Sequence, residues 1–197
     1  MRIGILGGTF DPPHNGHMLI ARAARERLRL DRVLFAPAGV QPLKQERPIS
    51  PPDQRAQMVE RAIAGEPGFE LSRIDLDRPG PHYSVDLLRI VAGIYPGAQL
   101  WFILGEDSLK DLLRWRDPQR LIELARLAVL HRSGVELDWG ALDAALPELR
   151  ACIDWVDAPL SDISGHEIRR RVRAGQSVEG LVPRAVAQYI AEKRLYQ

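Results

Sequence analysis

Ile3-Gly4-Ile5-Leu6-Gly7-Gly8-Thr9-Phe10-Asp11-Pro12-Pro13-His14-Asn15-Gly16-His17 starts as a short apolar run, breaks at two glycines and leads into a helix-period segment at about His17 to Leu28. An unbroken hydrophobic run of this length suits a strand buried on both faces. Similar runs recur at Val33 to Ala36, Leu100 to Leu104, Leu127 to Leu130 and Ile153 to Val156. Helix-period segments fall between them at about Pro52 to Ala64, Val85 to Tyr95, Pro118 to Ala125 and, more briefly, Trp139 to Ala145. Alternating strands and helices predict an α/β fold, a Rossmann-like, mostly parallel sheet with helices on both faces.

Local punctuation agrees. Asp117-Pro118 offers an N-cap followed by a first-turn proline, and Ser84 is placed to cap the helix after it. Beyond Val156 the strand pattern stops. Two helices are expected there, one opened by Ser164-Gly165-His166-Glu167 at capping-box spacing and one by Pro183. The expectation is one domain over residues 1–197, with 157–197 as a C-terminal helical segment. Pro37 to Pro51, with four prolines, Lys44 and Arg47, is too long for a plain strand-to-helix connection, and such loops are often functional. A second irregular stretch, Asp75 to Tyr83, holds Pro79, Gly80 and Pro81.

Composition narrows the function. The 197 residues carry 27 Lys plus Arg against 26 Asp plus Glu, a formal charge of +1, and are 45% hydrophobic. That is enough for one sizeable core. A balance so near zero disfavours a nucleic-acid backbone or an anionic membrane as the main partner. The single cysteine, Cys152, allows neither an internal disulfide nor a cysteine-based zinc site. No apolar stretch approaches the ~18 residues of a membrane span and the start lacks signal-peptide features, so a cytoplasmic protein is expected. The 24 Arg against three Lys carry no functional message of their own.

The chemistry concentrates at the end of the first strand, where open parallel sheets bind ligands. Gly7 and Gly8 permit close backbone approach, and the N–H groups of the next helix start suit an anion such as phosphate. His14 and His17, three residues apart, are spaced to converge on that anion. Imidazoles there can donate to phosphate oxygens and stabilise charge developing as a bond to phosphorus breaks, with no covalent nucleophile. A plainer reading makes Gly7-Gly8 a tight turn, His14 a surface residue and His17 a helix-start residue. A zinc site from His14, His17 and either His82 or His166 needs a third ligand from a distant segment. Neither Gly-x-Gly-x-x-Gly nor Gly-Lys-Ser/Thr follows the first strand, which weakens dehydrogenase and P-loop readings.

Gly7-Gly8-Thr9-Phe10-Asp11-Pro12-Pro13-His14-Asn15-Gly16-His17 resembles the opening motif of the nucleotidylyltransferase superfamily, Gly-Gly-Thr-Phe-Asp-Pro-x-His-x-Gly-His. A second superfamily motif, usually Ile-Ser-Ser-Thr-x-Ile-Arg, is matched by Ile163-Ser164-Gly165-His166-Glu167-Ile168-Arg169, with His166 in place of the usual hydroxyl. Nearly the whole chain resembles the bacterial nicotinate-nucleotide adenylyltransferases within that superfamily. The stretches that carry this are Leu104-Gly105-Glu106-Asp107-Ser108-Leu109, Trp115, His82 through Leu88, and Val182-Pro183 through Tyr189-Ile190.

The resemblance implies that the 5′-phosphate of nicotinate mononucleotide attacks the α-phosphate of ATP in line, giving deamido-NAD and pyrophosphate with Mg²⁺ assistance. It assigns the catalytic roles to His14, His17 and Arg169. Gly8, Thr9, Phe10, Gly105, Asp107, Ser164 and His166 would bind ATP, with Ser164 and Arg169 on the β- and γ-phosphates. Lys44, Tyr83, Ser84 and Trp115 would bind the acceptor, Trp115 stacking on the pyridine ring and backbone N–H groups near Tyr83 and Ser84 meeting the carboxylate. No protein-held metal, nucleic acid or membrane is implied, and a homo-oligomer is compatible. Alternative acceptors are nicotinamide mononucleotide and phosphopantetheine. Rivals from other classes are a non-catalytic nucleotide-binding regulator and an RNA-binding protein using Arg169-Arg170-Arg171 and Arg173, the second being disfavoured by the net charge.

Overall fold

The computed structural model describes residues 1–39, 49–132, 134–159 and 161–197. Six parallel strands form one sheet: β1 Arg2–Gly8, β2 Arg32–Pro37, β3 Phe69–Leu71, β4 Gln99–Gly105, β5 Arg126–Leu130 and β6 Ile153–Val156. Their order across the sheet is β3-β2-β1-β4-β5-β6. This is the Rossmann order, which reverses between β1 and β4 and opens a crevice beyond the carboxyl ends of those two strands. Gly8 ends β1 and Gly105 ends β4, so both border it.

Helices cover both faces. Asn15–Leu28 (α1), Pro52–Ile63 (α2), Gly165–Arg173 (α8) and Arg184–Glu192 (α9) bury Met18, Ala21, Met58, Val59, Ile168, Val186 and Tyr189 against Leu6, Phe35, Ile103 and Leu130 of the strands. Ser84–Ile94 (α3), Glu106–Lys110 (α4), Pro118–Leu124 (α5), Trp139–Ala145 (α6) and Leu149–Cys152 (α7) bury Leu87, Leu88, Leu109, Leu121, Leu142 and Leu149 against Ile3, Ile5, Phe102 and Leu127. Neighbouring residues of one strand thus serve opposite cores, as the period of two requires. The central strands are therefore apolar on both faces, which is why their runs stand out in the sequence.

Most expected elements appear within one or two residues of their anticipated bounds. Several short ones leave no periodic signal in the sequence. β3, at the sheet edge, has only three residues, Phe69-Glu70-Leu71, too few to show a period. The five-residue α4 and four-residue α7 are likewise too short for helical periodicity. One cap is corrected. Tyr83, with extended φ and ψ, is the N-cap of α3, and its carbonyl takes the N–H groups of Asp86 and Leu87, so Ser84 sits one position inside the helix. Asp117 does cap α5, accepting from the Arg120 N–H, and Ser164 caps α8, accepting from that of Glu167.

Candidate active site

The loop from β1 to α1 is built around rings that need glycine beside them. Phe10 takes a left-handed φ of 49°, which turns its side chain into the core. Its ring lies over Gly8, where an added Cβ would meet it at 3.2 Å. Gly7 and Gly8 are therefore part of β1 and not a tight turn. Likewise, a Cβ on Gly16 would meet Nδ1 of His14 at 3.0 Å and the Ser161 hydroxyl at 3.2 Å. The glycine between the histidines leaves space for the first imidazole.

His14 and His17 converge. Their rings stack with centroids 3.7 Å apart at 28°. His17 Nδ1 accepts the His14 backbone N–H at 3.1 Å, so neutral His17 carries its proton on Nε2. His14 is buried, contrary to the surface reading, and its Nδ1 has no hydrogen-bond partner among the described residues. Burial drives its pKa down to about 4. The stacked pair thus sits, with His14 kept neutral by burial, at a helix start whose N–H groups and dipole favour anions.

The depressed pKa has a consequence for stability. Below the ordinary histidine value near 6.5 the unfolded chain takes up a proton that folded His14 refuses until about 4. Stability therefore falls as pH drops through that window, by about 3 kcal/mol in all. Denaturant unfolding at about pH 7 and about pH 4.5 should show this slope in the wild type and a shallower one in His14→Gln. An unchanged slope in the variant would contradict it.

The second motif folds back onto the first. Arg169 is buried on α8, and its Nη1 donates to the carbonyl of Asp11, 158 positions away. Gly165 makes the approach possible, since a Cβ there would lie 3.2 Å from that carbonyl and 3.1 Å from Nη1 of Arg169. Ser164 and His166 are exposed in the first turn of the same helix. The neighbouring arginines point elsewhere: Arg170 and Arg171 both bind Glu167 and hold its carboxyl down to about 2. The cluster is not one basic face.

At the end of β4, the Asp107 carboxylate lies over Gly105, where a Cβ would meet Oδ1 at 2.5 Å. Asp107, in the first turn of α4, pairs with Arg132 at 3.0 Å. Glu106 accepts the Arg132 N–H at 2.9 Å.

Trp115 packs on the sheet, and its chain neighbour reaches toward Tyr83. Trp115 is half-buried, its ring edge-on to Phe102 with centroids 5.8 Å apart. Phe102 also lies beneath Gly7, where an added Cβ would meet its ring at 3.3 Å, so the tryptophan is one ring away from β1. The next residue, Arg116, places its guanidinium 5.7 Å from the Tyr83 ring. Tyr83 is the N-cap of α3, and its side chain makes no capping hydrogen bond. Lys44 and Arg47 lie outside the described residues.

Two groups near this site went unread in the sequence. Arg132 follows β5, and the rule that sites gather at carboxyl ends of strands applies to that strand as much as to β1. Arg55, on α2, is 2% exposed and donates to the carbonyls of Thr9 at 2.8 Å, Ala38 at 2.7 Å and Ser50 at 3.0 Å. Burial lowers its pKa, offset in part by Asp11. Nothing in its local sequence marks it off from the other arginines. For zinc, no group of three His, Cys, Asp or Glu among the described residues is placed to hold an ion. His82 is instead paired with the Arg78 carbonyl at 3.0 Å.

Comparison with known proteins meets this geometry. A family model described as cytidylyltransferase-like matches residues 5–171. A probable nicotinate-nucleotide adenylyltransferase of Thermomicrobium roseum is 45% identical over 196 residues, spanning 100% of this chain and 92% of its own length. One from Thermus thermophilus is 44% identical over 197 residues, spanning 100% of both chains. The solved structure of Plasmodium falciparum nicotinic acid mononucleotide adenylyltransferase complexed with NaAD has a TM-score of 0.79 at 18% identity, covering 99% of this chain and 97% of that one, a likeness of fold. The chain belongs to the cytidylyltransferase-like family and, within it, to the nicotinate-nucleotide adenylyltransferases.

Proposed function

We propose that the protein transfers AMP from ATP to nicotinate mononucleotide, releasing pyrophosphate and deamido-NAD, in the biosynthesis of NAD. The observation that carries this is the meeting of the two motifs: Arg169 holds the Asp11 carbonyl in the loop that runs straight into the stacked His14–His17 pair. The reading also draws on relatives matched over nine-tenths or more of their own length that bear this activity in their names.

An oxygen of the acceptor phosphate bonds to the α-phosphorus of ATP as the bond to the β-bridging oxygen breaks. Positioning and charge stabilisation do most of the work in such a step. His17, with its proton on Nε2, donates to the α-phosphate as charge builds on it, and His14 sets the position of that ring. The backbone of Gly8, Thr9 and Phe10 lines the reacting phosphates. Ser164, His166 and Arg169 receive the β- and γ-phosphates, Arg169 with the guanidinium fork suited to phosphate oxygens. Gly105 and Asp107 meet the adenosine.

On the acceptor side, Trp115 stacks on the pyridine ring and Lys44 serves the phosphate. The start of α3 at Tyr83 and Ser84, without a side-chain cap, receives the nicotinate carboxylate, where the helix dipole favours an anion. Mg²⁺ arrives with ATP. The imidazole and guanidinium groups of the site suit phosphate oxygens better than a hard cation, and the carboxylates of Asp11 and Asp107 are already paired, so the ion would be held chiefly by the triphosphate. When bound, the ion offsets charge on the phosphates.

The chain works as one nucleotidylyltransferase domain over residues 1–197, with 157–197 bringing the second motif. A cytoplasmic setting suits its substrates, and no described helix is long and apolar enough to cross a membrane. Initial rates with each acceptor alone test the assignment. The expected order places nicotinate mononucleotide at least about 100-fold above nicotinamide mononucleotide and phosphopantetheine in kcat/KM, since a neutral amide forgoes the charge-assisted contacts. Equal rates for the two pyridine nucleotides would contradict the carboxylate site.

A further inference from the structure

The phosphate loop contains a carboxylate with no part in the chemistry above. Asp11 is 4% exposed. An unrestrained carboxylate in a loop that receives a triphosphate repels its ligand. Here both oxygens are held: Oδ1 accepts from the Tyr196 hydroxyl at 2.7 Å, and Oδ2 from the Ser50 N–H at 3.4 Å. The positive charge of Arg55 lies close enough to be felt by the same carboxylate. These partners place the carboxylate on the α2 side of the loop, where the Tyr196 hydroxyl also lies 3.8 Å from the Met58 sulfur.

Tyr196 reaches this position 185 residues along the chain. After α9, the backbone passes through two left-handed residues, Arg194 at φ 49° and Tyr196 at φ 66°. Residues other than glycine seldom adopt that conformation, and it persists where the surroundings fix it. Leu195, between them, is buried in the core and donates its N–H to the Ile190 carbonyl. The path of this segment delivers a hydroxyl to the catalytic loop.

Resting on the adenylyl-transfer reading, we propose that Tyr196 is a positioning residue for the reaction. Its hydroxyl holds the Asp11 carboxylate on the α2 side, keeping that negative charge off the triphosphate and fixing the loop whose carbonyl Arg169 grips. No bond is made or broken at Tyr196.

Tyr196→Phe in the full chain keeps the ring and removes the hydroxyl. Its kcat should fall about 10-fold and the KM for ATP should rise, while the KM for nicotinate mononucleotide stays within about twofold. The same change made on top of Asp11→Asn should cost less than about twofold in kcat, because the hydroxyl acts through that carboxylate. Thermal unfolding of each variant confirms that folded protein is compared. A kcat within about twofold of wild type for Tyr196→Phe, or a loss equally large in the Asp11→Asn background, would overturn the assignment. A wild-type protein that releases no pyrophosphate would fail earlier and differently, removing the reaction and this role together.

Discussion

His17→Ala will lower kcat for adenylyl transfer by at least about two orders of magnitude. The reason lies in what the ring touches. His17 is half-buried, and through Nδ1 it accepts the His14 N–H, which fixes the imidazole and presents a protonated Nε2. A donor fixed beforehand stabilises developing charge without reorganising during the reaction. Alanine also takes the stacking partner from His14. By contrast, His166 is exposed on the first turn of α8, with no ring or carboxylate among the described residues holding it in one place. His166→Thr should therefore retain most of the activity. Initial-rate kinetics on both variants decide the ranking, and equal losses would refute it.

The second large effect is expected at Arg169. Replacing it with alanine removes the donor to the Asp11 carbonyl and the fork assigned to the departing pyrophosphate. Leaving a buried carbonyl without its donor costs about 1–3 kcal/mol, so Arg169→Ala should melt at a lower temperature. Arg169→Lys separates the two roles. A lysine can keep the positive charge, but its single ammonium cannot hold the carbonyl and two phosphate oxygens with a rigid fork. Its kcat/KM for ATP should fall roughly 30- to 100-fold, with a matching loss of affinity for pyrophosphate. Isothermal titration with pyrophosphate checks this. Unchanged affinity in Arg169→Lys would place the leaving group elsewhere.

How far each residue lies from its partners along the chain decides what could be read in the sequence. Strands buried on both faces are apolar without interruption, so Ile3 to Leu6 and Leu127 to Leu130 declare themselves, while Phe69–Leu71 is too short to do so. The motif around His14 and His17 is legible because its glycines and histidines are local. Phe10 over Gly8 and His14 over Gly16 show why those glycines are there. Asp107 lies exposed, paired with Arg132 from the next strand end, a partner its own neighbourhood does not announce. Arg55 and Tyr196 are invisible for a stronger reason: they act on Thr9 and Asp11 from 46 and 185 positions away. Their roles come from tertiary contacts alone. The Ser84 cap is misplaced by one residue because Tyr83 supplies the extended backbone that an N-cap needs.

The proposed reaction is a direct, acceptor-dependent adenylyl transfer at the junction of the two motifs. Following pyrophosphate and dinucleotide together in one time course, with ATP and Mg²⁺ and with or without nicotinate mononucleotide, tests it most directly. No release is expected from ATP alone, and one pyrophosphate for each deamido-NAD once the acceptor is added. Release without acceptor, or none with it, would contradict the proposed reaction.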